Sequence, residues 1–280
     1  MCIRDRNGKM VNVQPIEAMF NPSFIVRSFH VITTAGMTMA FVIASIAAFK
    51  LLRNRQPKDT VYHKKALKMS MIVGFFSTLL SMLAGDLSAK FLHKFQPEKL
   101  AAYEWHFDTS SHAKLLLFGV LDEKTQQVKG AIELPGLLSF LADNSVKTKV
   151  QGLNDFPKSL HPPMIVHYFF DLMVTMGILC FVISGVYVLT LMFKKLRKFS
   201  THKWMLYGIL LTGPASMLAI EFGWFLTEMG RQPWIVRGYM RVAEAATQAG
   251  GITFVTILFG ILYIILMYTC AYAVSYTHLT

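Results

Sequence analysis

Five long runs of apolar residues divide the chain, and each is long enough to cross a lipid bilayer. About 20 residues of α-helix span the hydrocarbon core of a membrane. The runs lie at Phe24–Leu52, Leu67–Ala89, Ile165–Phe193, Trp204–Glu228 and Gly251–Ala273. The pattern therefore predicts an all-α fold, a polytopic transmembrane helix bundle with five spans and one long loop.

The polar residues between these runs predict how the bundle is oriented. Lysine and arginine dominate two short loops, at 53–66 and 194–203, in which Asp59 is the one acidic residue. Short loops rich in Lys and Arg stay on the cytoplasmic side of a membrane. We therefore expect the long segment 91–163 to be extracytoplasmic.

Composition supports this interpretation and excludes others. The 280 residues are 54% hydrophobic and 16% charged, which is too apolar for an ordinary soluble domain. The net charge of +12 belongs to the topology loops, so nucleic-acid binding is not expected. Cys2, Cys180 and Cys270 show no Cys-x-x-Cys spacing, which indicates neither a disulfide framework nor a zinc or iron–sulfur site.

The chain divides into three native regions between two ends that we interpret as sequencing artefacts. Residues 1–6 and 274–280 resemble strings found at the ends of translated metagenomic contigs, and we expect the rest to be an internal piece of a longer protein. Residues 7–90 hold the first two spans, 91–163 the loop, and 164–273 the last three spans.

One helical stripe carries two acids at the end of the fourth run. Glu221, Trp224 and Glu228 are spaced at i, i+3 and i+7, so they share a helix face. An ionisable group at bilayer depth costs at least about 2.5 kcal/mol and normally faces a protein-lined cavity, a cofactor or a proton path. Gly230 then ends the helix and leaves Arg231 free to pair with an anion, so an interfacial Glu–Arg pair is the simpler interpretation.

A histidine and a methionine fall at similar depths in two other predicted helices. His30 follows the start of the first run by about 9 Å and Met173 the start of the third by about 12 Å, at 1.5 Å rise per residue. His and Met are the axial ligands of low-spin, electron-transferring haem. Packing roles remain open for both, and spacing alone does not favour Met173 over Met37, Met39 or Met176.

The extracytoplasmic segment opens with Gln96-Pro-Glu-Lys99-Leu-Ala-Ala-Tyr-Glu104. An amphipathic helix at the membrane surface explains this stretch without assigning it a function.

These stretches together resemble one family. Gly-Arg-Gln-Pro-Trp at 230–234, preceded by Gly-Trp-x-x-x-Glu, is similar to a signature of subunit I of cytochrome bd-type quinol oxidases. The segment 96–104 resembles the quinol-binding loop of that family, in its short-loop form. Arg-x-x-His at 27–30 and Phe-x-x-Met-Val at 170–174 resemble the stretches that hold its low-spin haem ligands.

The resemblance implies roles for particular residues. Lys99 and Glu104 would bind and deprotonate quinol, and His30 and Met173 would ligate low-spin haem b. Asp171 departs from members that carry arginine there to meet a haem propionate, which leaves Arg27 as the candidate for that contact. The resemblance further implies a high-spin haem site, whose candidate residues in this chain are Glu228, either close to or ligating the high-spin haem b, and Glu221, Trp224 and Arg231 lining the same region.

The implied activity is oxidation of quinol at the outer face of the bacterial cytoplasmic membrane and reduction of O2 to water. High-spin haem b and haem d would be shared with four N-terminal helices of the family's full subunit. A second oxidase subunit, a small single-span subunit and membrane lipid are the implied partners. The sequence does not distinguish ubiquinol from menaquinol or haem d from haem b at the oxygen site, and leaves Glu244 unassigned.

Two other functions compete with the oxidase. A cofactor-free proton-coupled transporter would use Glu221 and Glu228 as a relay, but transporters usually carry internal repeats and none is found here. A b-haem membrane anchor that exchanges electrons with quinone generally supplies pairs of histidines, and histidines within the apolar runs are scarce.

Overall fold

A computed structural model describes residues 4–6, 9–11, 15–53, 57–247 and 249–277. Parts of the two ends predicted to be artefacts, residues 1–3 and 278–280, lie outside the described residues. The chain divides after Pro233 into two units. Its helices and strands are, in order, β1 (Arg4–Arg6), β2 (Lys9–Val11), α1 (Pro15–Met19), α2 (Pro22–Arg53), α3 (Pro57–Phe95), α4 (Pro97–Tyr103), β3 (Leu115–Leu117), β4 (Val120–Asp122), β5 (Gln127–Lys129), β6 (Ile132–Leu134), α5 (Leu137–Asp143), α6 (Val166–Met192), α7 (Lys203–Gly230), β7 (Trp234–Val236), β8 (Met240–Arg241), α8 (Val242–Ala245) and α9 (Ile252–Thr277).

The five predicted spans are confirmed. Helices α2, α3, α6, α7 and α9 are long and apolar enough to cross a membrane. The prediction placed the start of the second span at Leu67, but α3 begins at Pro57. Hydropathy marks only the part of a helix that lies in lipid, whereas lysine is itself a good helix former and extends α3 beyond the apolar run. Pro97 follows its end at Phe95, as expected for a residue that cannot continue a helix.

Four of these helices form an up-down-up-down bundle in the first unit. Its principal contacts are α2 with α3 and α7, and α6 with α3 and α7, so α2 and α6 occupy opposite corners. Glycines allow α3 and α7 to approach α2 closely. A Cβ on Gly74 of α3 would meet the ring of Phe41 at 2.8 Å, and one on Gly213 of α7 would meet Ser45 at 2.6 Å. The apolar core of the bundle is centred on Phe41, which is fully buried.

The predicted loop 91–163 is a compact structure with its own apolar cluster. Two short antiparallel pairs, β3 with β6 and β4 with β5, stand before α5. Leu100, Leu115, Leu138 and Val150 are buried in the cluster beneath them. Because the strands are only three residues long, the all-α class holds.

The second unit contains a hairpin and the last span. Strands β7 and β8 pair through Trp234 and Arg241, whose guanidinium lies 5.4 Å from the Trp234 ring. Glu244, unassigned from the sequence, accepts a hydrogen bond from the backbone N–H of Arg241 at 2.9 Å and caps α8. No residue in the apolar window of α9 is buried within the described chain.

Candidate functional site

The short helix α4 and the residue that follows it hold the two residues predicted to act on quinol, Lys99 and Glu104. Pro97 stands at its start, where a missing backbone N–H costs nothing and the fixed φ favours a helix. The helix packs against α3, α6, α7 and the 3-10 turn at Leu153–Asp155. Leu100, Ala101 and Ala102 are buried by these contacts, so α4 is an interior helix of the protein.

Lys99 is buried, and no acid among the described residues forms a salt bridge with it. The residue is only 7% exposed, and its Nζ lies 5.5 Å from the centre of the Tyr103 ring. Burial and then the positive charge of Arg27 lower the pKa of Lys99 to about 8, and the negative charge of Glu228 opposes them. The structure therefore brings Lys99 within electrostatic range of predicted site residues from α2 and α7.

Glu104 lies directly after α4 and is 3% exposed. Burial, and to a smaller extent the negative charge of Asp171, raise the pKa of Glu104 to about 8. Its Oε2 has no hydrogen-bond partner among the described residues. A buried carboxyl with a pKa near neutrality and a free oxygen has the properties of a general base.

The backbone turns sharply at the residue after Glu104. The N–H of His106 donates to the carbonyl of Ala101 at 2.9 Å, and Trp105 adopts a left-handed φ of 45°. This is the Schellman ending of a helix, in which the left-handed position usually holds glycine. A bulky residue there costs about 1–2 kcal/mol, so surrounding contacts must stabilise it.

Those contacts come from α6 and the segment before it. The indole N–H of Trp105 donates to the carbonyl of Met164 at 2.9 Å. Its ring stacks on that of His167 with centroids 3.9 Å apart. His167 also donates from Nδ1 to the carbonyl of Tyr103 at 2.6 Å, since a carbonyl can only accept. Sequence reasoning missed His167, because its partners lie about 60 residues away in the chain.

Tyr103 joins α4 to the end of α7. Its hydroxyl donates to the carbonyl of Leu226 at 3.1 Å, and burial raises its pKa. A Cβ at Gly230 would overlap the phenol ring and hydroxyl of Tyr103. The glycine of the Gly-Arg-Gln-Pro-Trp segment is therefore where α4 docks.

The remaining predicted residues on α7 lie toward its outer surface. Arg231 donates to Glu228 Oε2 at 2.5 Å, and both side chains are partly exposed. Glu221 is exposed, and Trp224 is 57% exposed. The Glu228–Arg231 pair is present, whereas Glu221 and Trp224 are not brought to α4.

His30 and Met173 lie on helices at opposite corners of the bundle. They stand eight and seven residues after the first residues of α2 and α6, about 12 Å and 10 Å along each helix. His30 Nδ1 is buried and has no hydrogen-bond partner among the described residues. Met173 Sδ would lie 3.1 Å from a Cβ at Gly223 on α7, so the absence of that carbon makes room for the sulfur.

This donor set fits a haem. A buried imidazole nitrogen without a partner among the described residues leaves room for a hydrogen-bond partner or a metal on this ring, and a thioether sulfur is a ligand for low-spin haem iron. Arg27, one turn before His30, is exposed and supplies a cation on the same helix. His30 on α2 and Met173 on α6 lie across the diagonal of the bundle from each other.

Fold and site together define a polytopic helical membrane protein with a buried loop acid and candidate haem donors. The chain belongs to the cytochrome bd terminal oxidase subunit I family, whose model matches residues 2–278. It is 40% identical over 272 residues to a putative cytochrome bd menaquinol oxidase subunit I of Bacillus subtilis, covering 96% of this chain and 61% of the relative. A cytochrome bd ubiquinol oxidase subunit 1 of the same organism is 32% identical, with 88% and 54% covered.

A solved structure has the same fold. The bd oxidase of Geobacillus thermodenitrificans matches with a TM-score of 0.87 and 46% identity, over 97% of this chain and 61% of that one. This chain thus spans about three fifths of the length of these relatives. Family membership and five spanning helices make it a multi-pass bacterial membrane protein.

Proposed function

We propose that this chain is the quinol-oxidising and haem-binding part of a terminal respiratory oxidase. The observation that carries the proposal is a buried acid, Glu104, whose Oε2 has no hydrogen-bond partner among the described residues, at the end of the short helix that also carries the buried cation Lys99. Family membership supports it, since relatives are called quinol oxidases.

Glu104 and Lys99 have different roles in quinol oxidation. Oxidation of one quinol releases two electrons and two protons. Glu104 takes one proton from a quinol hydroxyl on its free oxygen, and Lys99 stabilises the resulting oxygen anion. Because both groups are desolvated, their charges act more strongly on a bound quinol than they would in water.

Two haem sites are part of the proposal. His30 and Met173 would hold a low-spin haem b, with Arg27 near a propionate. Glu228 would ligate or adjoin a high-spin haem b, with Glu221, Trp224 and Arg231 lining that region beside haem d. When bound, these groups would carry electrons singly from quinol to O2, which four electrons and four protons convert to two water molecules.

The partners and the orientation follow from the same assignment. The exposed stripe of Glu221 and Trp224 on α7 would face the remainder of the subunit. The second oxidase subunit, a small single-span subunit and lipid would cover other apolar faces, including that of α9. Segment 91–163 would face the outside of the cytoplasmic membrane, so that protons from quinol leave there.

Quinol-driven oxygen uptake by the full oxidase tests the proposal. We expect Glu104→Gln to lower turnover at least tenfold while the haem content stays unchanged. Glu133→Gln is the matched control in the same segment, because its carboxylate is exposed and pairs with Lys114 at 2.8 Å. Equal turnover of Glu104→Gln and the control would remove Glu104 from the role.

A further inference from the structure

A buried histidine and aspartate on α6 have no part in the function described above. His167 is fully buried and Asp171 is 1% exposed. They stand one helical turn apart, and His167 Nε2 lies 3.3 Å from Asp171 Oδ2. A buried polar pair at the start of a spanning helix requires compensating contacts, and these identify what it does.

His167 contacts the residues on both sides of Glu104. Its Nδ1 donates to the carbonyl of Tyr103, and its ring stacks against Trp105. The backbone of Glu104 is thus held between two groups that the same imidazole ring fixes. Movement of this ring would shift the backbone of Glu104, and its carboxyl with it.

Asp171 lies beside the opposite nitrogen of the ring and joins α6 to the rest of the loop. Its Oδ2 accepts a hydrogen bond from the backbone N–H of Phe118 at 2.6 Å, between β3 and β4. The same oxygen faces His167 Nε2. Asp171 therefore connects α6, the strands of the loop and, through His167, the end of α4.

We propose that His167 and Asp171 are positioning residues for quinol oxidation, which hold the Glu104 carboxyl where it meets the quinol hydroxyl. This inference rests on the function proposed above for Glu104. Proton transfer needs heavy atoms about 2.6–3.2 Å apart, and a misplacement of about 1 Å can lower a rate about a hundredfold. A rigid support behind the end of α4 therefore affects the rate strongly.

The test uses the full oxidase with its partner subunits in membranes. We expect His167→Ala to lower the kcat of quinol oxidation at least tenfold, with less effect on KM, while the haem reducible by dithionite stays at the wild-type amount. Asp171→Asn retains an oxygen that can accept from Phe118 and should keep at least half of the turnover, whereas Asp171→Leu should lose at least fivefold. His202→Asn, an exposed histidine on the linker before α7, is the control.

The double variant His167→Ala/Glu104→Gln separates positioning from general damage. If His167 acts through Glu104, the double variant loses no more turnover than Glu104→Gln alone, because coupled residues are not additive. Losses that multiply would overturn the inference. If His167→Ala does not accumulate, the two Asp171 variants decide. Equal turnover of Asp171→Leu and Asp171→Asn would overturn the inference.

The outcomes separate this inference from the proposed function. If Glu104→Gln slows turnover while His167→Ala turns over normally, the positioning role is overturned and the role of Glu104 stands. Normal turnover of Glu104→Gln would overturn both the role of Glu104 and the positioning role of His167 and Asp171.

Discussion

The phenol of Tyr103 lies against Gly230 so closely that a Cβ on the glycine would overlap its ring and hydroxyl. The contact joins α4, which carries Lys99, to the end of α7, which carries Glu228. The Tyr103 hydroxyl adds a hydrogen bond to the carbonyl of Leu226. The two regions proposed for quinol and for high-spin haem therefore share one rigid joint.

Gly230→Ala should disturb this joint. The new methyl group must displace Tyr103, and overpacking of this kind costs about 1–3 kcal/mol. We expect a fall of about tenfold in quinol-driven oxygen uptake and a lower thermal unfolding temperature in detergent. Gly208→Ala on the same helix is the control, because its Cβ would meet Ile183 at an ordinary 3.8 Å. Equal effects of the two variants would contradict a specific role for the contact.

The rate of quinol oxidation should depend on pH through Glu104. Burial raises the pKa of Glu104 to about 8, so at pH 6 the group is mostly protonated and cannot accept a proton. The kcat/KM should therefore rise as the pH increases toward about 8. Glu104→Gln should abolish this rise, and its persistence in that variant would show that another group titrates.

Lys99 should produce the opposite limb of the profile. Burial and the charge of Arg27 lower its pKa to about 8, so Lys99 loses its charge as the pH rises past that value. We expect kcat/KM to fall on the alkaline side, and Lys99→Arg to remove that fall because arginine stays charged. An alkaline limb unchanged in Lys99→Arg would contradict this assignment.

Removing the Lys99 charge should weaken quinol binding. We expect Lys99→Met to raise the KM for quinol about tenfold, measured by oxygen uptake at several quinol concentrations. Its matched control is Lys114→Met, which breaks only a surface pair with Glu133 worth about 0–1 kcal/mol. A KM in Lys99→Met equal to that of the control would show that the cation does not meet the quinol.

Hydropathy predicted the bundle well because lipid imposes a length and an apolar composition on each span. It predicted the start of α3 poorly, since the cationic first turns of that helix carry no hydropathy signal. The strands between 115 and 134 were not predicted, because three residues are too few to show the alternating pattern of a strand. Their pairing depends on turns and on the apolar cluster beneath them.

The site was predictable only where local motifs mark it. Lys99, Glu104 and the Gly-Arg-Gln-Pro-Trp segment stand out in the sequence, whereas His167 does not. The contacts of His167 with Tyr103 and Trp105 depend on packing between distant elements. Asp171 was noticed as a departure from the family, and its bond to the Phe118 N–H gives it a structural partner.

A measurement of which residues ligate the low-spin haem tests the proposed function most directly. A reduced-minus-oxidised optical spectrum of the full oxidase should lose its low-spin b band in Met173→Leu and in His30→Ala. The band should persist in Met176→Leu, which packs against the bundle core, and in His93→Ala, whose buried Nδ1 likewise has no partner among the described residues. A band retained in Met173→Leu, or lost in His93→Ala, would contradict the assignment of His30 and Met173.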